Sequence, residues 1–257
     1  MEKTQQENFR NRRANFARRT VDTHAAFFLP HLRPGMALLD LGCGPGSITV
    51  GLAGAVAPGP TTGIDLDPGL PDGEHDITLV TGDVHELPFP DASFDAIFAS
   101  ALLQHVPDPL AVLREARRVA RPGAVIGVGD ADWDGELLYP KGPVIERSYD
   151  VMRKLRSNSD PYVGKRLRSL LAEAGFERCE GYARVGHHGT AEEVAGIGTF
   201  TASTLGYPAT VEKAVAEGWA TAGEMAEFQE AWRAWSADPG AFVARFWCEA
   251  VGWAPAG

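Results

Sequence analysis

A chain of 257 residues is long enough for one α/β domain of normal size with an appendage, and it buries most of its apolar surface on folding. The formal charge of −10 is uneven: residues 1–33 carry seven basic and three acidic side chains, the remainder 17 basic and 31 acidic. A body that acidic excludes a nucleic-acid partner for most of the chain, and no run approaches the roughly 20 apolar residues of a membrane span.

The three cysteines, Cys43, Cys179 and Cys248, are odd in number, far apart and without metal-ligand spacing. That usage reads as a reduced, cytoplasmic protein with no metal site. The polar N-terminus, MEKTQQENFRNRR, lacks the apolar core of a signal peptide. Its basic residues are either a solvated helix face or a contact for an anionic substrate.

Taken in order, residues 4–29 predict a helix, with Phe9 and Phe16 on one face and a second apolar group at Ala25–Leu29 that ends before Pro30. Pro34-Gly35 turns into a first strand, Ala37–Leu41. Asp40 then precedes glycines at 42, 44 and 46, and Ser47–Val56 reads as a helix. Glycines at alternate positions let the backbone take left-handed conformations and let a ligand approach closely. A dinucleotide turn, G-x-G-x-x-G, would need its third glycine where Ser47 stands. The Asp40 carboxylate beside the turn disfavours a pyrophosphate and suits a cation.

Breakers at 57–60 lead to a second strand, Thr61–Asp65. Asp65 falls 19 residues after Gly46, the spacing at which a doubly wound sheet offers an acid to a ribose. Residues 67–76 hold Pro and Gly at four positions, so the usual helix there is truncated or a loop. Strand three is Ile77–Thr81, followed by Gly82-Asp83-Val84, where Asp83 is either a nucleoside ligand or a turn cap. Strand four, Ala96–Ser100, opens into Leu102–Val106, in the crevice where open α/β sheets bind ligands. Asp108-Pro109 caps a helix whose Leu110, Leu113 and Val119 face the sheet, and Arg121-Pro122-Gly123 ends it. Strand five, Ala124–Gly129, ends in Asp130-Ala131-Asp132-Trp133. Helices follow at Val144–Arg156 and Val163–Ala174, then strand six at Glu177–Val185, two or three helices over 190–238, and strand seven at Phe242–Trp253. An insertion of that length exceeds ordinary loops and predicts a lid. Its Phe200, Tyr207, Trp219, Phe228, Trp232 and Trp235 cover an apolar substrate chamber, or else form a separate small core or a dimer interface.

The pattern D-x-G-x-G-x-G at 40–46, with Gly63-Ile64-Asp65, Gly82-Asp83-Val84, the Leu102–Pro109 segment and Arg121-Pro122-Gly123, resembles the ubiquinone/menaquinone-biosynthesis type of class I S-adenosylmethionine (SAM) methyltransferase. More loosely, FLPHLRPG, Asp130–Tyr139 and the helices before FWCEA resemble actinobacterial small-molecule methyltransferases. The resemblance implies a Rossmann-like, doubly wound α/β sheet of seven strands in the order 3-2-1-4-5-7-6, the seventh antiparallel, with an N-terminal helix and a helical lid. It divides the chain into an arm at 1–33, a SAM-binding core at 34–189, the lid at 190–238 and the last strand at 239–257.

By the same resemblance, Asp40, Gly42, Cys43 and Gly44 surround the methionine part of SAM. Asp65 and Leu66 hold its ribose, Asp83 and Val84 its adenine, and Ala99 and Ser100 the back of the cofactor. His105 lies near the transferred methyl. His105 and Asp132 are candidate bases, with His187 and His188 behind them; each is equally a hydrogen-bonded crevice or loop residue. Arg19, Trp133 and Tyr139 are candidate substrate contacts, Arg19 being equally a residue that closes over the cofactor carboxylate or a surface arginine. The partner implied is a small, mostly apolar or aromatic metabolite, bound by a monomer or homodimer. Two other functions stay open: a SAM-binding protein without methyl transfer, and a nicotinamide-dependent oxidoreductase, against which the absence of a Y-x-x-x-K pair also counts.

Overall fold

Short apolar runs alternating with helices assemble into a seven-stranded sheet in the computed structural model of the chain, which describes residues 16–156 and 160–257. The strands are β1 (Leu38–Leu41), β2 (Thr61–Asp65), β3 (Ile77–Thr81), β4 (Phe94–Ser100), β5 (Ala120–Tyr139), β6 (Glu177–His188) and β7 (Phe242–Trp253). Their order is β3-β2-β1-β4-β5-β7-β6, as the resemblance implies. β1 pairs in parallel with β2 and β4, β2 with β3, and β4 with β5, while β7 runs antiparallel to β5. All four residues of β1 are buried, as a central parallel strand covered on both faces requires.

The helices are α1 (Val21–His24), α2 (Ser47–Val56), α3 (Pro109–Val119), α4 (Pro143–Leu155), α5 (Leu167–Glu173), α6 (Ala191–Leu205), α7 (Pro208–Ala216) and α8 (Ala222–Ser236). Asp108 caps α3 by accepting the Ala111 N–H, and Pro109 follows at the first turn. Val112, Leu113, Ala116 and Val119 of α3 are buried, while Leu110 is partly buried. No described helix is long and apolar enough to cross a membrane.

Three expectations are corrected. The helix expected over 4–29 is not continuous where it is described. Thr20 is extended and caps the one-turn α1 through a reciprocal pair of hydrogen bonds with Thr23, and a 3-10 turn follows at Leu29–His31; Phe9 lies outside the described residues. The apolar group after it packs on the sheet instead: Phe28 is fully buried and stacks on Phe98 at 5.5 Å. Gly127 makes room for it, since a Cβ there would lie 2.4 Å from the Phe28 ring.

Strand five begins at Ala120 and runs on past Gly129 to Tyr139. Acidic side chains at 130, 132, 134 and 136 alternate there with Ala131, Trp133, Gly135 and Leu137, a period-2 pattern. Strand six likewise continues from Val185 to His188. As expected, β2 and β3 are joined without a helix.

The chain forms two compact units. The first comprises residues up to Asp130 with Val163–Ala183 and Cys248–Gly257; the second comprises Ala131–Tyr162 and Arg184–Trp247. The second therefore takes in α4 and the ends of three strands as well as the helices of 190–238. The aromatics of those helices are largely consumed by its own core: Phe228, Trp232 and Trp235 are buried with Ile145, Tyr149, Val194, Met225 and Val243. The Trp232 indole N–H donates to Ser148 Oγ at 3.0 Å, and its ring meets Tyr149 and Trp235 edge-on. Trp232→Ala is therefore expected to cost about 3–5 kcal/mol. Urea unfolding followed by tryptophan fluorescence measures it, and a loss under about 1 kcal/mol would show that Trp232 is not the centre of that core.

Candidate functional site

The site is built where β1 ends. The glycine turn after it has Gly42, Gly44 and Gly46 at φ +66°, +52° and +73°, all left-handed. A Cβ on Gly46 would lie 2.3 Å from the Gly69 carbonyl oxygen, and one on Gly42 would lie 2.8 Å from the Leu102 side chain. The loop that replaces a β2–β3 helix folds back onto this turn, the Gly69 N–H donating to the Gly44 carbonyl at 2.8 Å. Around Gly44, by contrast, a Cβ would meet nothing within 4 Å.

Backbone donors of the turn are taken up by the end of β2. Gly42 and Cys43 N–H both donate to the Ile64 carbonyl. The Asp65 carboxylate accepts the Gly44 N–H at 3.0 Å and the Asp67 N–H at 2.9 Å. Cys43 packs against Gly63, whose missing Cβ would lie 2.9 Å from Sγ, so the thiol has a packing role. Asp40 is 3% exposed and accepts the Thr49 hydroxyl at 2.6 Å, which ties β1 to α2 across the turn. Burial pushes its carboxyl up to about 7; the Thr49 bond opposes that shift and the nearby Asp65 charge adds to it.

The nucleoside-side residues lie at the ends of β2 and β3. Leu66 is 75% exposed, Val84 is buried, and the Asp83 side chain reaches solvent. Asp83 Oδ1 accepts both the backbone N–H of His85, at 2.9 Å, and its imidazole Nδ1, at 2.7 Å. Those two bonds, the backbone one foremost, hold the Asp83 carboxyl below its usual range. Asp83 thus caps its own turn, one of the two roles open to it from sequence.

After β4, Ala99 is buried and Ser100 Oγ is buried without a hydrogen-bond partner among the described residues. Ala101 follows at φ +54°, then a 3-10 turn, Leu103–His105, which leaves His105 exposed. Asp130, at the end of β5 within this unit, is 1% exposed and accepts the Leu103 N–H at 2.9 Å and Gln104 Nε2 at 2.8 Å. Burial pushes its carboxyl up to about 7, against the hydrogen bonds from Gln104 and Leu103 and the Arg19 charge. Sequence reading placed Asp130 over the site without a role and passed over Gln104 and Thr49. An acid directly after the apolar run 124–129 was the available signal.

The first unit therefore brings together Asp40, Gly42, Cys43, Gly44, Asp65, Leu66, Asp83, Val84, Ala99, Ser100 and His105, with Arg19 in electrostatic reach of Asp130. Asp132, Trp133 and Tyr139 belong to the second unit. There Asp132 is buried and accepts the Asp134 N–H, and Arg156 lies over the Trp133 ring at 4.4 Å. Tyr139 is 66% exposed, and its carbonyl accepts the Trp235 indole N–H. His188, also in that unit, lies 3.9 Å from Glu193, and burial lowers its basicity.

A family model described as a methyltransferase domain matches residues 39–128. A demethylmenaquinone methyltransferase of Lysinibacillus sphaericus is 31% identical over 169 residues, covering 57% of this chain and 72% of that protein. A 27-O-demethylrifamycin SV methyltransferase of Amycolatopsis mediterranei is 33% identical over 157 residues, covering 57% and 56%. The YcgJ protein of Bacillus subtilis shares the fold, with a TM-score of 0.57 at 16% identity over 90% of this chain and 98% of that one. The chain spans 44% and 63% of the length of two further curated relatives.

The raised carboxyl of Asp40 sets a pH dependence. Its folded value, about 7, lies above the unfolded 3.8, so its contribution to stability is complete below 3.8 and is lost as pH rises through 7. Asp40→Asn, which keeps an acceptor for Thr49, is expected to gain roughly 1–3 kcal/mol relative to the parent between pH 5 and pH 8 in the ligand-free protein. Guanidinium unfolding at both pH values checks this, and a parallel pH response of the two proteins would rule it out.

Proposed function

This chain belongs to the class I SAM-dependent methyltransferases, and from that premise we propose that it transfers a methyl group from SAM to a small, mostly apolar or aromatic metabolite. The observation that carries the reading is the left-handed glycine turn, with Asp40 buried before it and Asp65 tied to Gly44 beside it.

The residues present suit such a cofactor. Gly44 leaves open space where a Cβ would stand, Ser100 Oγ is a buried hydroxyl with capacity to spare, and Asp40 has an acid-base equilibrium that a bound cation would draw toward the carboxylate. Asp40, Gly42, Cys43 and Gly44 would hold the methionine portion, Asp65 and Leu66 the ribose, Asp83 and Val84 the adenine, and Ala99 and Ser100 the back of the cofactor. When bound, SAM supplies an electrophilic methyl group on a sulfonium.

What the chain must add is alignment, which can supply roughly 7–11 kcal/mol of such a barrier; a positioned base adds about 10²- to 10⁴-fold. His105, exposed on the turn after β4, is the proposed base, receiving an acceptor proton on an imidazole nitrogen. Arg19 is proposed to orient the acceptor. The relatives named for demethylmenaquinone and demethylrifamycin support a small-molecule acceptor. Ser47 in place of a third dinucleotide glycine, and Asp40 beside the turn, weigh against a nicotinamide cofactor.

Titration calorimetry is expected to show binding of SAM and S-adenosylhomocysteine and none of NADH. Asp65→Ala should weaken S-adenosylhomocysteine by roughly 1.5–3 kcal/mol, the range for hydrogen bonds to a charged group, and Asp83→Ala by less. NADH binding without SAM binding would falsify the assignment. Tight SAM binding with no transfer of labelled methyl to any of a panel of apolar and aromatic acceptors would favour a binding protein instead.

A further inference from the structure

We infer that Asp130 is a positioning residue, holding the segment 101–106, with His105 on it, in register against the glycine turn. The tie itself is read from the first unit alone; what His105 faces rests on the methyltransferase reading.

A three-residue 3-10 turn has poor hydrogen-bond geometry and little intrinsic stability, so its place must come from outside itself. Three bonds from β5 supply it, and a fourth closes the turn on itself. The Ala101 N–H donates to the Gly129 carbonyl at 2.8 Å, which starts the turn from β5 and holds Ala101 left-handed. Leu103 N–H and Gln104 Nε2 then converge on the two oxygens of Asp130, at 2.9 and 2.8 Å. The His105 N–H closes back on the Leu102 carbonyl at 2.8 Å. Leu102, in the middle, fills the space that a Cβ on Gly42 would need, so a shift of the segment is a shift against the glycine turn.

The chemistry requires an acid at 130. Two donors approach from different groups, and a carboxylate accepts both, whereas an asparagine offers one acceptor and turns an N–H₂ toward the other donor. Burying that acid is costly without partners, and the Gln104 amide, the Leu103 N–H and the Arg19 charge are the partners that oppose the cost. Arg19 thereby joins the start of the described chain to the same tie. Because displacement of a reacting group by about 1 Å can cost on the order of 100-fold in rate, a tie of this kind acts on catalysis without touching substrate.

The test is amide hydrogen exchange of the ligand-free full chain. Asp130→Asn is expected to speed exchange at 101–106 at least tenfold while leaving 38–41 unchanged. The swap Asp130→Asn with Gln104→Glu reverses the polarity of the side-chain bond and keeps an acceptor for Leu103. It should restore protection to within threefold of the parent, a rescue that a general loss of packing would not show. A folded Asp130→Asn protein with unchanged exchange at 101–106, or a swap no better protected than the worse single variant, overturns the inference. Should Asp130→Asn not fold, Gln104→Leu carries the test, with at least threefold faster exchange expected and no change overturning it. Exchange is read without cofactor, so failure of SAM to bind would refute the functional reading and leave the tie standing.

Discussion

The structure depends on satisfying the backbone of one glycine turn. Three glycines in left-handed conformation after β1 carry N–H groups that need partners, since a buried unpaired donor would be costly. The end of β2 answers most of that need: the Ile64 carbonyl takes the N–H groups of Gly42 and the intervening Cys43, and the Asp65 carboxylate takes that of Gly44, while the Gly46 N–H turns back to the Cys43 carbonyl. Asp40 and Thr49 close the turn from the other side. The carboxyl end of the parallel sheet is thereby held open around Gly44, where a ligand can approach the main chain.

The same region holds two acids on central strands, Asp40 and Asp130, each with its carboxyl raised to about 7 by burial. Each is tied to the segment beside it, Asp40 through Thr49 to α2 and Asp130 through Leu103 and Gln104 to the turn carrying His105. They trade stability near neutral pH for fixed geometry and a negative charge available to a cation.

The second unit follows different physics. Its buried aromatic side chains are organised around Trp232, with Tyr149 also bonded through its hydroxyl to Glu136, which in turn pairs with Arg245 at 2.5 Å. Aromatic content over 190–238 is thus accounted for mainly by a self-contained core. Phe200, at 41% exposure, is the clearest exception.

Local rules determined much of this protein. Period-2 and period-3.6 patterns, with the breakers between them, place β2, β3, β7 and α2 at their observed bounds: prolines and glycines at 57–60 separate α2 from β2, and the left-handed Gly46 stands before α2. The D-x-G-x-G-x-G spacing marked the site, since φ above zero is a property of glycine before any packing exists. Tertiary structure decided the rest. Whether strand five stops at Gly129 or runs to Tyr139 depends on a neighbouring strand to pair with, and whether the aromatics of 190–238 cover a crevice or one another depends on α4, distant in sequence, packing against them. The role of Asp130 was hidden for the same reason: its partners Leu103 and Gln104 stand 27 and 26 residues away, and only the pairing of β4 with β5 brings them within hydrogen-bond reach.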